Sequence, residues 1–319
     1  MIMAPMFLVS NEAMMVSAIE HGIAGAFPTL NFRKENELAE ILGRLATQKS
    51  KPSSKGTYGV NLIVMKTNPM YEKHLEVCVA QKVPFYITSL GNPELVIQKA
   101  HAYGAKVFCD VTNLVHAKKC FDLKCDGFVA VGQGAGGHAG PYPLQVLVPA
   151  LHAHFPGTPV IAAGGIANGA GILSALALGA AGVSVGTRFI ASAEAQVSGE
   201  YKKAIVNSGM DDIVMTDRLS GTPSSIINTP YAQKIGLKQN WLERLLSTNA
   251  TTKKFFKMLV QIRGMKKLEE SIRPGNYKTL WCAGQSVELV DDILPCAEII
   301  ERMKRETSET FKNLQSKLI

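Results

Sequence analysis

Two glycine turns in the middle of the chain have the composition of a phosphate-binding site. Gly164 and Gly165 end one short apolar run, and Gly186 and Thr187 end the next. Glycine lets the backbone approach an anion closely, and amides at the start of a following helix point toward it. The other interpretation is that these glycines form only tight turns and bind nothing. Two such turns in consecutive units, the second followed by Arg188, favour phosphate binding.

His138 is the side chain best suited to acid–base chemistry. Its neighbours are mostly glycines, which offer the ring little to pack against. An imidazole with a pKa of about 6.5 takes a proton from a carbon acid or donates a hydrogen bond to a developing anion. We expect a catalytic or substrate-binding role, and a loop hydrogen bond is the alternative. The other histidines are predicted on helix surfaces, at positions 21, 74, 101, 116, 152 and 154.

The remaining candidates lie within or just after other apolar runs and carry few charges. They are Pro5, Met6, Asn61, Ser89, Asp110, Thr112 and Gln133. They include no paired carboxylates and no lysine placed for Schiff-base chemistry. A phosphate cradle with few charges suits a cofactor that brings its own reactivity. Flavin mononucleotide (FMN) fits, since it has one phosphate and a large planar ring that takes amide contacts.

The elements that must position these residues are eight short apolar runs that alternate with helical segments. The predicted strands span 2–4, 23–27, 58–64, 84–88, 106–109, 127–131, 160–163 and 182–185. Strands separated by helices imply a parallel sheet with right-handed crossovers. Eight units predict an α/β fold, the (β/α)8 TIM barrel, whose active site lies at the carboxyl ends of the strands. No GxGxxG follows the first strand, which argues against a Rossmann site.

A mostly helical segment is predicted near the C-terminus. We expect residues 1–214 to form the FMN-binding barrel, with 276–319 packing back on it, and 215–275 to form a helical lid or subdomain. Residues 215–230 are expected to be irregular, because they contain glycine and prolines. A helix is expected to continue from Ala191 to about Asn207.

Composition excludes several classes of function. The net charge is +8, but the basic residues lack interleaved aromatics, so we expect no nucleic-acid partner. No uncharged apolar run reaches 18 residues, which predicts no membrane span. The first residues contain no basic leader, and the six cysteines form no CxxC pair. We therefore expect a cytoplasmic protein with reduced thiols and without a metal site.

Five motifs together resemble the nitronate monooxygenase family, formerly called 2-nitropropane dioxygenases. They are AGGHAG (135–140), AAGGIANGAGI (162–172), LALGAAGVSVGTRF (176–189), TDRLSGTP (216–223) and AGQSVELVDDI (283–293). The resemblance covers nearly the whole chain in order. The flavin-dependent enoyl-acyl carrier protein reductases share the fold and the motifs, so the combination is more specific for the superfamily than for the branch.

The resemblance implies an FMN-dependent oxidoreductase that converts alkyl nitronates and O2 to a carbonyl compound and nitrite. His138 would deprotonate a neutral nitroalkane or hydrogen-bond to its nitro group. The implied FMN contacts are Ala4, Pro5, Met6, Asn61, Gln133, Gly137, Gly164, Gly165, Gly186, Thr187 and Gln285. The resemblance to relatives of this architecture also implies that a homodimer is compatible with the sequence.

Two alternatives remain open at this point. One is an NAD(P)H-dependent FMN enoyl-acyl carrier protein reductase with an enoyl thioester as its substrate. The other is a flavin- or phosphate-binding barrel with little turnover. Three positions depart from the family pattern. Gly134 stands where many relatives carry Glu, Asp110 where certain relatives carry Lys, and Glu288 where glycine is usual.

Overall fold

The eight predicted strands form a closed parallel barrel in a computed structural model of the chain, which confirms the predicted fold class. The structure describes residues 1–34, 36–65, 68–219, 222–238, 269–270 and 279–317. Numbered in chain order, the barrel strands are β1 (Ile2–Met3), β2 (Ala24–Pro28), β3 (Thr57–Ile63), β4 (Phe85–Ser89), β5 (Lys106–Val111), β6 (Gly127–Val131), β8 (Val160–Ala163) and β9 (Gly182–Val185). The barrel closes because β1 pairs in parallel with both β2 and β9.

Helices surround the barrel, and several of them begin at a capping side chain. They are α1 (Glu12–Glu20), α2 (Glu37–Lys49), α3 (Tyr71–Ala80), α4 (Glu94–His101), α5 (Leu114–Asp122), α6 (Leu144–His154), α7 (Gly169–Ala177), α8 (Thr187–Ile190), α9 (Gly199–Asn207), α10 (Pro230–Ile235) and α11 (Cys296–Gln315). Asn11, Asn113 and Asn168 each accept a backbone amide of the first turn. Such caps satisfy amides that a helix start leaves unpaired.

The helix that was expected to continue from Ala191 is interrupted. Helix α9 begins only at Gly199, where the side chain of Ser198 accepts the amide of Tyr201. The separate cap explains the break, since serine at this position starts a new helix.

A small antiparallel sheet carries His138, and the sequence did not predict it. Its strands β7 (Gly137–His138), β10 (Ile213–Thr216) and β11 (Ser224–Ile227) lie in the order β10-β11-β7. The expectation that 215–230 is irregular was therefore wrong. Strands of two to four residues around a turn that contains proline are too short for a clear alternating pattern.

Most of the expected lid lies outside the described residues. The residues that the structure does not describe within the predicted segment 215–275 are 220–221, 239–268 and 271–275. The division into a barrel and a helical lid therefore stays a prediction.

Apolar side chains fill the inside of the barrel below the strand ends. This inner cluster contains Ile2, Ala26, Phe85, Ile87, Val129 and Ile161. The rings of Phe85 and Phe108 pack edge to face, with centroids 6.5 Å apart. Glycine makes room for both rings, since a Cβ at Gly59 would lie 2.6 Å from Phe85 and one at Gly127 would lie 2.8 Å from Phe108. The barrel is thus closed below the site by a packed core.

Helix α11 returns the end of the chain to the barrel and packs against α7 and α1. The two helices approach closely at Gly169, where a Cβ would lie 2.2 Å from the backbone nitrogen of Thr307. The carboxylate of Glu306 accepts the Gly169 amide at 2.9 Å. This contact supports the helix that follows the Gly164-Gly165 turn.

Candidate active site

A cavity of about 1500 Å³ opens at the carboxyl ends of the barrel strands. It exceeds the roughly 300–1,000 Å³ typical of a site for one small ligand. All the predicted site residues but one line it, namely Ala4, Pro5, Met6, Asn61, Gln133, Gly137, His138, Gly164, Gly165, Gly186 and Thr187. The fold therefore brings together side chains that are up to about 180 positions apart in the sequence, as expected for a barrel site.

Gln285 is the predicted residue that the structure does not bring to the cavity. It is exposed on the 3₁₀ turn Gln285–Leu289, and Ser286 of the same turn is buried and lines the cavity instead. The motif located the turn correctly, but its side-chain directions depend on how the turn packs against the barrel.

Arg188 does not support the glycine turns in the way the sequence suggested. Its buried guanidinium donates to a carboxylate oxygen of Asp292 at 2.5 Å and to the Asp292 carbonyl at 2.8 Å. Arg302 contacts the same carboxylate at 2.7 Å. Burial lowers the pKa of Arg188, and Asp292 opposes that shift. Arg188 lies outside the cavity lining and ties α8 to the segment before α11.

The turns 164–165 and 186–187, called here the phosphate turns, follow the seventh and eighth barrel strands, β8 and β9. Gly164 and Gly165 have φ values of +114° and +75°, which residues with a Cβ rarely adopt. A Cβ at Gly164 would also lie 2.7 Å from the nitrogen of Ala135. The hydroxyl of Thr187 accepts the amide of Gly284 at 3.0 Å. Backbone from three loops is therefore packed together at this side of the cavity.

The phosphate turns have the donors that an anion needs. Across the described ranges, no protein group accepts the backbone amides of Gly164, Gly165 or Gly186. The space beside Gly165 is open, because a Cβ built on it would lie 3.9 Å from its nearest neighbour, Gly134. Positive φ, close backbone approach and available amides are the features of an anion cradle.

His138 is positioned by the small sheet. It pairs with Ser224 of β11, and Gly137 pairs with Ser225. His138 is exposed to the cavity, and partial burial of its imidazole by the surrounding protein lowers the pKa of the ring below the usual 6.5. His138 is therefore mostly neutral at pH 7, with one N–H donor and one acceptor nitrogen.

The prediction for the other histidines was wrong at His74, which is buried on α3 with a solvent-exposed fraction of 4%. Its Nδ1 has no hydrogen-bond partner, and burial lowers its pKa. His116 is exposed on α5 and lines the outer part of the cavity. No local sequence pattern indicates that placement, because it depends on tertiary packing.

A second group of polar residues lies on β3, β4 and β5. The Asn61 amide donates to the Ile87 carbonyl at 3.1 Å and to the Ser89 hydroxyl at 2.7 Å. Ser89 donates to Asp110 Oδ2 at 2.5 Å. We call Asn61, Ser89 and Asp110 the polar network. Burial raises the pKa of Asp110 to about 6, and the hydrogen bond from Ser89 opposes the shift.

Two departures from the family pattern have structural consequences. Glu288 accepts the amide of Met210 at 2.8 Å and so joins the 3₁₀ turns Met210–Asp212 and Gln285–Leu289. A Cβ at Gly134 would lie 3.1 Å from Gly165. Glycine at position 134 therefore lets two loops approach closely.

The described part of the chain contains no group of three or more His, Cys, Asp or Glu side chains arranged to hold a metal ion. Its six cysteines are all free thiols. None of the described helices is long and apolar enough to cross a membrane.

An eight-stranded parallel barrel with a glycine-lined cavity at the carboxyl strand ends is a TIM-barrel enzyme. The chain belongs to the nitronate monooxygenase family, whose model matches residues 15–306. This result confirms the family that the motifs predicted.

Its relatives carry different names. The (3aS,4S,5R,7aS)-5-hydroxy-7a-methyl-1-oxo-octahydro-1H-indene-4-carboxyl-CoA dehydrogenase of Mycobacterium tuberculosis is 30% identical over 63% of this chain and 55% of that protein. A probable nitronate monooxygenase of Staphylococcus aureus is 32% identical over 52% of this chain and 49% of that protein. These alignments span about half the length of either relative. FabK from Thermotoga maritima has 30% identity and a TM-score of 0.83, over 99% of this chain and 94% of its own.

Proposed function

We propose that this protein is an FMN-dependent monooxygenase that oxidises alkyl nitronates with O2 to a carbonyl compound and nitrite. The observation that carries the proposal is that the phosphate turns and His138 line one cavity at the active end of the barrel. The family supports the same reaction class. A cytoplasmic location and a homodimer are compatible with this proposal.

The residues present fit FMN. The phosphate turns offer amide donors for its single phosphate, and Ala4, Pro5 and Met6 form an apolar wall beside Gly186. Both N–H groups of Asn61 are used within the protein, which leaves its carbonyl oxygen to accept an N–H from the ring. When bound, FMN would supply the redox chemistry, which the side chains of this cavity lack.

His138 would hold the substrate. A neutral imidazole donates one hydrogen bond to a nitro oxygen without adding a charge to a desolvated site. Because β7 is paired with β11, the ring is held by the small sheet and not by a free loop. The rigid support favours a fixed distance between the substrate and the phosphate turns.

The test is an anaerobic absorption spectrum of the purified protein before and after addition of an alkyl nitronate. A separate sample receives NADH or NADPH. Rapid loss of visible flavin absorption with the nitronate and not with the nicotinamide supports the proposal. Nitrite formation after O2 is admitted completes the test. Protein that binds no FMN even after reconstitution contradicts it.

A second candidate is an NAD(P)H-dependent FMN reductase of enoyl thioesters. The specific observation in its favour is the alignment with a carboxyl-CoA dehydrogenase, whose name denotes a thioester substrate. The cavity volume of about 1500 Å³ leaves room beside a cofactor for a large acyl group. Loss of flavin absorption with NAD(P)H alone selects this candidate. A flavin that neither reagent reduces selects a binding protein with little turnover.

A further inference from the structure

Two leucines that line the cavity have a left-handed backbone. The φ of Leu8 is +61° and that of Leu90 is +59°. Leu8 lies in the loop after β1, and Leu90 directly follows β4. Large apolar residues seldom adopt this conformation, because their Cβ crowds the backbone.

The other residues with this conformation have a local reason for it. Besides glycines and the two leucines, only Asn36, Lys82 and Lys124 have a positive φ in the described part of the chain. Lys82 and Lys124 directly follow the C-caps of α3 and α5, where a left-handed residue is common. Asn36 caps the start of α2, and asparagine tolerates this conformation. Leu8 and Leu90 cap no helix, so the strain at these two positions needs another explanation.

The backbone of Leu8 is held in place by side chains from the same end of the barrel. Its amide donates to Asn31 Oδ1 at 2.9 Å, and the Asn31 NH2 group donates to the Ser10 carbonyl at 2.9 Å. The Ser10 hydroxyl accepts the Met6 amide at 2.9 Å and donates to the Ala4 carbonyl at 3.0 Å. A strained residue persists only where its surroundings fix it in this way.

The backbone of Leu90 is held by the end of β3. The Ser89 carbonyl accepts the Val64 amide at 3.0 Å. On the other side, a Cβ at Gly91 would lie 2.4 Å from the Val64 carbonyl oxygen. The chain before and after Leu90 is therefore fixed, and its apolar side chain stays 38% exposed at the cavity.

The two leucines belong to an apolar side of the cavity. This side, called here the apolar arc, is formed at the carboxyl ends of β1 to β4 by Phe7, Leu8, Leu30, Ile63 and Leu90. None of the described lining residues between positions 4 and 93 is charged, whereas β5 and α5 contribute carboxylates, a lysine and a histidine. An apolar part of a ligand is therefore best placed along the first four barrel units.

We propose that Leu8 and Leu90 are specificity-determining residues that contact the alkyl chain of the substrate. The inference rests on the proposed function and names its substrates as nitronates of long, unbranched alkanes. Glycine would adopt both φ values without strain but would offer the chain no apolar contact. Strained residues are typical of ligand-binding positions, where the side chain compensates for the cost. Each methylene group that leaves water along the apolar arc should raise affinity roughly 4-fold.

The experiment compares kcat/KM for octyl nitronate and ethyl nitronate with the full-length, FMN-loaded protein. The ratio of the two values should be at least ~10 in wild type and should fall at least ~10-fold in Leu8→Gly and in Leu90→Gly. Glycine is the replacement because it keeps the backbone conformation. The matched control is Lys124→Gly, since Lys124 has a φ of +64° but is exposed and does not line the cavity. It should keep the wild-type ratio.

Urea denaturation tests the strain from which the inference starts. Leu8→Ala also removes the side chain beyond Cβ, but it keeps the Cβ at a positive φ. Leu8→Gly should therefore unfold at a higher urea concentration than Leu8→Ala. Equal midpoints would overturn the inference, because they would show that a side chain at position 8 carries no conformational cost.

Binding of alkyl amides separates this inference from the proposed function, because these ligands contain no nitro group. Isothermal titration calorimetry with the purified full-length protein should show that octanamide binds at least ~10-fold more tightly than butanamide. Lys124→Gly should keep this difference, and a variant with both Leu8→Gly and Leu90→Gly should lose it. If the difference follows the leucines but no nitronate is oxidised, the proposed function fails and the apolar subsite stands. If nitronates are oxidised at rates that do not depend on chain length, or if the leucine variants keep the wild-type ratio, the inference is overturned and the proposed function stands.

Discussion

On one side of the cavity the phosphate turns are built from backbone, and on the other the polar network is built from side chains. Gly164 and Gly165 adopt positive φ, and their loops pack against neighbouring backbone at distances that exclude a Cβ. The polar network instead uses one amide, one hydroxyl and one carboxyl. The first side therefore offers fixed donors to an anion, whereas the second offers acceptors and a group that changes its protonation.

The two sides of the cavity should therefore respond differently to substitution. A change in a phosphate turn strains the backbone and should act on cofactor binding. A conservative change in the polar network keeps the shape and should act on the protonation of Asp110. The four predictions below are ordered from the largest expected effect to the smallest.

Gly164→Ala should weaken FMN binding at least ~100-fold, because its φ and its contact with Ala135 both exclude a Cβ. Titration of FMN fluorescence measures the change. Gly157→Ala is the matched control, since Gly157 has a φ of +78° but no atom within 4 Å of the added Cβ. Equal losses of FMN affinity in both variants would show that general strain, and not the phosphate turn, is responsible.

Gly169→Ala should lower the free energy of unfolding by about 2–3 kcal/mol, because the added Cβ would overlap the backbone of α11. Urea denaturation measures the change. Gly199 is also the first residue of a helix, but its Cβ would meet nothing within 4 Å. Gly199→Ala should therefore change stability by less than about 1 kcal/mol. A Gly169→Ala protein as stable as wild type would mean that α11 does not support α7.

His138→Asn should lower kcat/KM for a preformed nitronate by about 10- to 100-fold, because a hydrogen bond to a charged group is lost. FMN affinity should stay unchanged. The lowered pKa of His138 also predicts the pH dependence of the wild type. Activity should be constant at neutral pH and should change only below pH 6.5, where the ring becomes charged. A change that persists in His138→Asn would assign that titration to another group.

Glu288→Gly restores the residue usual in the family and should cost about 1 kcal/mol or less, since it removes one hydrogen bond to Met210. Nitronate turnover should not change. Thermal unfolding and steady-state rates measure the two quantities. A large loss of activity would place the turn Gln285–Leu289 in the catalytic machinery and would weaken the contrast between the two sides.

Much of the fold could be predicted because it depends on local signals that repeat. The strand runs, the capping asparagines and the glycine turns lie where the sequence placed them. Strands β7, β10 and β11 could not be predicted, since two-residue and four-residue strands gain their stability from pairing partners that are distant in the chain. The expected helix after Ala191 was too long for a different reason, since Ser198 caps a new helix that begins only at Gly199.

The residues of the candidate site could likewise be predicted only in part. The motifs predicted that His138 and the glycine turns share one site, because glycine and histidine have properties that few other residues share, and these residues do line one cavity. They could not show that Ser286 faces the cavity in place of Gln285, or that Arg188 pairs with Asp292. Those directions depend on how the chain after residue 279 packs against the barrel.

Local patterns in the sequence were enough to predict the barrel, the nitronate monooxygenase family and the positions of the glycine turns, since periodicity and glycine requirements act over a few residues. Only the tertiary structure joined Asn61, Ser89 and Asp110 into one network. Parallel strands place residues from separate units side by side, and the hydrogen-bond directions follow from that juxtaposition. The raised pKa of Asp110 likewise depends on burial, which a local sequence pattern does not show.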